Sequence, residues 1–266
     1  MLENDPNISP PSVLYKYRDW NNPYHRNILQ NKEIYFPKPS EFNDPFDGNI
    51  PIRWDKLSYE DCLNKNIELI KISNRNLDAK SLKSHAIRIT EAKSLWHPDM
   101  LQKETKEEIM KWDALIGLFS LSEVPNTILM WSHYSSNHTG FVVGLDTKLP
   151  QDNYDFDYLK PIKYQIEYPM ISGNDNNSDR FEKKFFCKSE LWNYEQEWRI
   201  SKNHIKNRII KLLPETISCV IIGCYTPEKN VRKIQQIIYK YIGDHVSIFK
   251  AEMKIDEFGL LISELV

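Results

Sequence analysis

The sequence is short of glycine, with 8 in 266 residues against a typical share of about 7%. A phosphate-cradling loop needs closely spaced glycines, so that backbone N–H groups can approach the anion. The two nearest here, Gly140 and Gly144, sit in a segment that reads as a strand. Walker-type and dinucleotide-fingerprint loops are therefore not expected. Cysteine is also sparse: Cys62, Cys187, Cys219 and Cys224 form no C-x-x-C pair, which reads as free, mostly buried thiols. No run approaches the roughly 18 apolar residues of a membrane span, so no membrane partner is expected. The net charge of −2 gives no global field toward nucleic acid or a membrane surface, although a local basic patch stays open. Residues 1–11 are polar, carry Pro6, Pro10 and Pro11, and lack an apolar stretch. They read as a disordered lead-in and not as a signal peptide, which makes the expected location cytoplasmic.

What the chain has in quantity is aromatic side chains: 7 Trp, 14 Tyr and 11 Phe. With 41% hydrophobic and 27% charged residues, the composition is that of a globular protein with a proper core. Val13–Tyr17 and Ile34–Phe36 read as short strands, followed by a shaped loop, Phe42-Asn43-Asp44-Pro45-Phe46-Asp47-Gly48. Residues 55–113 change character and show apolar residues at helical spacing. The β signal returns at 115–122, 141–146, 162–165, 197–200, 219–223 and 246–253, with a helix predicted over 227–242. Residues 175–178 read as a mobile surface loop. The expectation is a single α+β domain over 12–266, with a mixed, mostly antiparallel sheet and a helical insertion at about 55–113.

Four segments concentrate aromatic and polar residues. In Tyr15-Lys16-Tyr17-Arg18, alternation sends Lys16 and Arg18 to one face, and an arginine there can grip a phosphate through its planar fork. A plain surface arginine is the commoner outcome. In the second segment, Asp44 and Asp47 lie close enough to share a metal or a hydroxyl, while capping a turn is the more frequent use. The third runs from Ser120-Leu121-Ser122 to Met130-Trp131-Ser132-His133-Tyr134 and His138. Its histidines are five apart, which does not match a helical zinc pair, so no metal is assigned. A buried, hydrogen-bonded His133 is at least as good a reading as a catalytic one. The fourth, Lys188 to Ile200, contains Glu195-Gln196-Glu197. Two carboxylates on one strand face repel unless a cation answers them, a pattern used for acid–base work or for stabilising positive charge. An edge strand with its glutamates paired to Arg199 explains the spacing equally well.

These blocks resemble the bacterial family known as domain of unknown function 2971. The resemblance rests on Leu14–Arg18, Ile34–Phe36, Phe42–Asp47, Met130–Tyr134 with His138 and Gly140, Lys188, Trp192–Arg199 and Val220–Gly223. More distantly, the order of motifs is similar to the ADP-ribosyltransferase superfamily, which binds NAD without a glycine-rich loop. That resemblance implies that Arg18 holds the NAD phosphates, that the Ser120-x-Ser122 strand supports the site, and that Glu195-x-Glu197 supplies the catalytic carboxylate. A tyrosine-type branch would use Tyr35 instead. The roughly hundred residues between Arg18 and Ser120 depart from the pattern.

On these grounds Glu197, Glu195 and Ser120 are the expected catalytic residues. Arg18, Tyr17, Tyr35, Ser122, His133 and Tyr134 are expected to contact NAD, the co-substrate. A protein or nucleic-acid target, in a toxin or phage-defence role, follows from the resemblance. Two other readings stand beside it: a non-catalytic binding module with an aromatic-walled pocket, and a metal-dependent hydrolase or nuclease using Asp44, Asp47, His133, His138 and the glutamates.

Overall fold

The computed structural model describes residues 9–74, 77–92, 98–148, 154 and 156–265. Of the expected lead-in, residues 1–8 lie outside the described residues. The chain divides into two compact units. The first comprises 1–38, 114–166 and 188–266, and the second comprises 39–113 and 167–187.

In chain order the strands begin with β1 (Val13–Arg18), β2 (Glu33–Tyr35), β3 (Ile52–Arg53), β4 (Ile116–Ser122) and β5 (Phe141–Asp146). They continue with β6 (Tyr158–Pro161), β7 (Lys163–Gln165), β8 (Ile171–Ser172), β9 (Cys187–Ser189) and β10 (Glu197–Asn203). The last are β11 (Ile209–Lys211), β12 (Ile217–Ile222), β13 (Ser247–Met253) and β14 (Leu260–Glu264).

The first unit is built on an eight-stranded sheet in the order β14-β13-β12-β5-β1-β4-β10-β6. Its neighbours pair antiparallel except β12 with β13, which run parallel. That parallel pair is bridged by the helix Glu228–Tyr241, as a parallel connection requires. The α+β expectation with a mixed, mostly antiparallel sheet therefore holds.

Strand alternation gives the sheet two different faces. One carries Leu14, Phe119, Leu121, Val143, Val220 and Ile222 beneath Ile28 and Leu29 of the helix Pro23–Gln30 and Val231, Ile234 and Ile238 of the helix Glu228–Tyr241. Each of these buried apolar side chains contributes roughly 1.5–3 kcal/mol. The other face carries Tyr17, Val142 and Ile221 beneath Met130 and Trp131 of the helix Ile128–Tyr134.

β10 lies between β4 and β6 and buries Glu197 through Ser201, so it is not the solvated edge strand that the charge spacing allowed. The predicted 227–242 helix forms as Glu228–Tyr241, and the Thr226 side chain just before it makes no cap bond. Its hydroxyl instead donates to the Gly140 carbonyl at 3.1 Å.

In the second unit the block read as helical forms the helices Tyr59–Ser73, Ala79–Glu91 and Pro98–Leu115. Ser58 caps the first by accepting from Asp61 N–H, as its spacing predicts. Ile70, Leu82 and Ala86 close a small core between the first two. Asp44 takes the turn role: its carboxylate accepts from Phe46 N–H at 2.9 Å. The loop read at 175–178 is shorter than expected. Asp175 pairs with Lys183 at 2.7 Å, and Asn176 caps a helix, Asn177–Phe185.

Candidate active site

Antiparallel pairing of β4 with β10 sets Ser122 opposite Glu197 and Ser120 opposite Arg199. Tyr15 on β1 is the register partner of Ser122 on its other side. One row across three strands therefore reads Tyr15, Ser122, Glu197. Glu195 does not belong to the strand. It ends a 3₁₀ segment, Glu190–Glu195, and Gln196 turns left-handed at φ 43° before β10 begins. That turn returns Glu195 toward Glu197, so the two carboxylates meet from different elements.

They meet on Lys188. Its ammonium donates to Glu195 Oε2 at 2.6 Å and to Glu197 Oε2 at 3.3 Å. Arg199, on the same strand face as Glu197, donates from Nε at 2.9 Å and from a terminal nitrogen at 2.7 Å, both to Glu197 Oε1. The Tyr134 hydroxyl donates to Glu195 Oε1 at 2.6 Å. Ser122 donates to the Glu195 carbonyl at 2.6 Å, and Glu197 N–H donates to the Tyr164 hydroxyl at 2.8 Å. Lys188 also lies 4.7 Å from the centre of the Trp192 ring, a favourable placement for a cation. All four charged side chains are buried.

The surroundings drive the carboxylates apart. Burial alone would raise Glu197, but Arg199 and Lys188, with a hydrogen bond from Ser120, outweigh it and hold the group down at about 2. Glu195 goes the other way. Burial raises it more than Lys188 and Tyr134 lower it, and the charge of Glu197 adds to the rise. Paired titratable groups separated in this way are the usual arrangement of an acid and a base in one site.

Of the residues expected from the sequence, Glu197, Glu195, Ser120, Ser122 and Tyr134 come together. Tyr17 lies beside them, its hydroxyl donating to the Val124 carbonyl at 2.8 Å and its ring edge-on to Trp131 at 5.5 Å. His133 is exposed at the rim, with its ring 6.2 Å from Tyr134 and 6.3 Å from Tyr194.

Arg18 and Tyr35 are not brought in. Lys16 and Arg18 lie over the Phe119 ring, at 4.6 and 6.0 Å, on the opposite side of β4 from Ser120 and Ser122. Alternation requires this once Tyr17 packs on Trp131. Tyr35 ends β2, pairs with Ile209 of β11, and is 42% exposed. Among the described residues, no group of three or more His, Cys, Asp or Glu could hold a metal ion.

Lys188 and Tyr164 complete the network without having been assigned to it from the sequence, whereas the pairing of Glu197 with Arg199 is one of the two readings its spacing allowed. Arg199 carried a usable signal, since i,i+2 spacing from Glu197 fixes a shared strand face. Lys188 carried only its place seven residues before Glu195 in a segment with Trp192.

No helix among the described residues is long and apolar enough to cross a membrane. No curated protein and no solved structure is significantly similar to the chain. Residues 130–200, which hold Tyr134, Tyr164, Lys188, both glutamates and Arg199, match the family described as "Protein of unknown function (DUF2971)".

Proposed function

We propose that the protein is an enzyme that moves a glycosyl group, with NAD as donor co-substrate and ADP-ribose as the group transferred. The observation that carries this reading is the Glu195–Lys188–Glu197 cluster, in which neighbouring carboxylates have opposite protonation tendencies. In such a reaction the bond between nicotinamide and ribose breaks with its electron pair leaving on nicotinamide. Positive charge then develops at the ribose carbon. Glu197, ionised throughout the neutral range, supplies a fixed negative charge for that state. Glu195 exchanges the proton that an acceptor hydroxyl or amine gives up as it bonds to the ribose carbon. Tyr134 and Tyr194 supply aromatic surface beside the carboxylates for a flat nicotinamide ring, and the buried Tyr17 packs behind them. The acceptor is a protein or a nucleic acid. Arg18 and Tyr35 have no part in this version of the site.

The test is nicotinamide release and label transfer from radiolabelled NAD, by the pure protein alone and with cell lysate. Wild type should consume NAD and Glu197→Gln should not. No NAD loss, or equal loss from both proteins, refutes the proposal.

One observation favours a second reading, a non-catalytic binding module. Glu195 and Glu197 are each only 4% exposed, and Lys188 and Arg199 already answer their charge. Saturable nucleotide binding with no turnover supports the module, and turnover lost in Glu197→Gln excludes it.

A further inference from the structure

The eight-stranded sheet ends in two edges of different character. β6 closes one end with Tyr158-Leu159-Lys160-Pro161. Pro161 has no N–H to offer a further strand, and the Lys160 ammonium lies 4.8 Å from the centre of the Tyr158 ring. Proline and lysine are the usual means by which an edge is kept from pairing. β14 closes the other end with Leu260-Leu261-Ile262-Ser263-Glu264 and carries neither. Among the described residues, no strand pairs with its outer side.

The hairpin that delivers β14 is unusually apolar for a solvated turn. Ile255 and Phe258 are fully exposed, Met253 is exposed, and Leu261 on β14 itself is 53% exposed. Large apolar side chains grouped on one surface feature mark a contact surface. Alternation puts Leu260 and Ile262 on the sheet face that carries Tyr17 and Ile221, where Leu260 is buried and Ile262 half-buried. That apolar face therefore runs out to β14 and stops there.

The two edges restrict what can add to β14. Pairing of β14 with β6 of another copy would propagate without closing, and it meets Pro161 and Lys160. Pairing of β14 with itself about a two-fold axis closes at two copies. An antiparallel register centred on Leu261 sets Leu261 against its counterpart and Leu260 against Ile262 twice, so every central pair is apolar. Glu264, the one charge on the strand, then faces Phe258 and stands away from its own copy. Each Leu260–Ile262 pair also joins the apolar face of one copy to that of the other. We propose that the protein self-associates through β14 as a two-fold dimer whose sheets join into one. A five-residue edge makes a small interface, below about 1,200 Å² in total, so the dimer is weak and exchanges. The dimer does not require the glutamates to be catalytic.

Sedimentation velocity of the full chain, over a dilution series spanning the micromolar range, tests it. Wild type should sediment as a monomer when dilute and as a dimer when concentrated, with no larger species. Leu261→Lys and Leu261→Glu each bring like charges together at the axis, and each should raise the dimer Kd at least about tenfold. Mixed in equal amounts, the two variants should dimerise again, because opposite charges then meet. That rescue requires Leu261 to be its own partner, and it excludes misfolding as the cause of the loss. Arg232→Met, which alters an exposed arginine on the helix Glu228–Tyr241, should behave as wild type. A wild type that stays monomeric at every concentration overturns the proposal, whether β14 is then left open, covered by its own chain or held for a foreign peptide. A dimer that persists in Leu261→Lys, or a mixture of the two variants that fails to pair, overturns it equally.

Discussion

Glu195 and Glu197 accept hydrogen bonds from the same ammonium, that of Lys188, yet the first is driven toward its neutral form and the second is locked as a carboxylate. The difference comes from Arg199. It places two hydrogen bonds on Glu197 Oε1, while among the described residues Glu195 receives the neutral Tyr134 hydroxyl in addition to Lys188.

Removing Lys188 leaves two buried carboxylates against each other. Lys188→Met should lower stability by about 3–5 kcal/mol, read from urea unfolding, because the unanswered charge remains in the protein. The double variant Lys188→Met/Glu195→Gln should recover part of the loss. An unchanged Lys188→Met protein would mean that the ammonium is not bonded as described.

Acid should weaken the fold through Glu197. Its folded pKa of about 2 lies below the ordinary 4.5, so its stabilisation is present above 4.5 and is lost as pH falls toward 2. The loss is about 3 kcal/mol, and Glu197→Gln should flatten that part of the stability–pH curve. Glu195 has the opposite sign. Its raised pKa gives a contribution that is full below 4.5 and lost as pH rises. Glu195→Gln should therefore lose less stability than wild type between pH 5 and pH 8 in chemical denaturation.

The turn that follows the helix Ile128–Tyr134 meets the sheet in a tight crossing at two glycines. A Cβ on Gly140 would lie 2.2 Å from the Arg18 carbonyl oxygen, and one on Gly223 would lie 2.1 Å from that of His138. Neither neighbour is a movable side chain. Gly140→Ala and Gly223→Ala should each cost more than about 2 kcal/mol in equilibrium unfolding. Gly259→Ala, which would meet only the Lys254 side chain at 3.2 Å or beyond, should be nearly neutral.

Between that helix and Gly140, Ser136, Asn137 and His138 all adopt left-handed backbone at φ 49°, 52° and 66°. The turn is pinned by His138 N–H donating to Trp131 O at 3.2 Å and Tyr225 N–H donating to His138 O at 3.0 Å. Ser136→Gly should relieve one strained residue and raise stability by about 1 kcal/mol in thermal unfolding. A fall in stability would show that the serine side chain outweighs the strain.

The parts of the fold with strong periodicity were legible in the sequence. The Cys219–Gly223 run and the helix at 227–242 emerged within two residues of their observed ends, because apolar spacing alone specifies them. Glu195 was misplaced onto the strand because nothing in Glu-Gln-Glu announces a left-handed residue between two carboxylates. Strands of two or three residues such as β8, β9 and β11 carry no period to read. Arg18 was judged by its residue type, and only the packing of Tyr17 on Trp131 decides which way it points. Ser120, Ser122 and both glutamates are named through the resemblance; the register of β4 with β10 brings Ser120, Ser122 and Glu197 together, and the turn at Gln196 brings Glu195.

In the proposed reaction Glu197 is a working carboxylate and not solely a structural one. Nicotinamide release from NAD, followed by chromatography with wild type, Glu197→Gln and Arg232→Met at equal folded concentration, addresses it most directly. Release by wild type and by Arg232→Met, reduced at least about a hundredfold in Glu197→Gln, is the result expected of a group that stabilises the transition state. Release unaffected by Glu197→Gln, or absent from the folded wild-type protein, would contradict it.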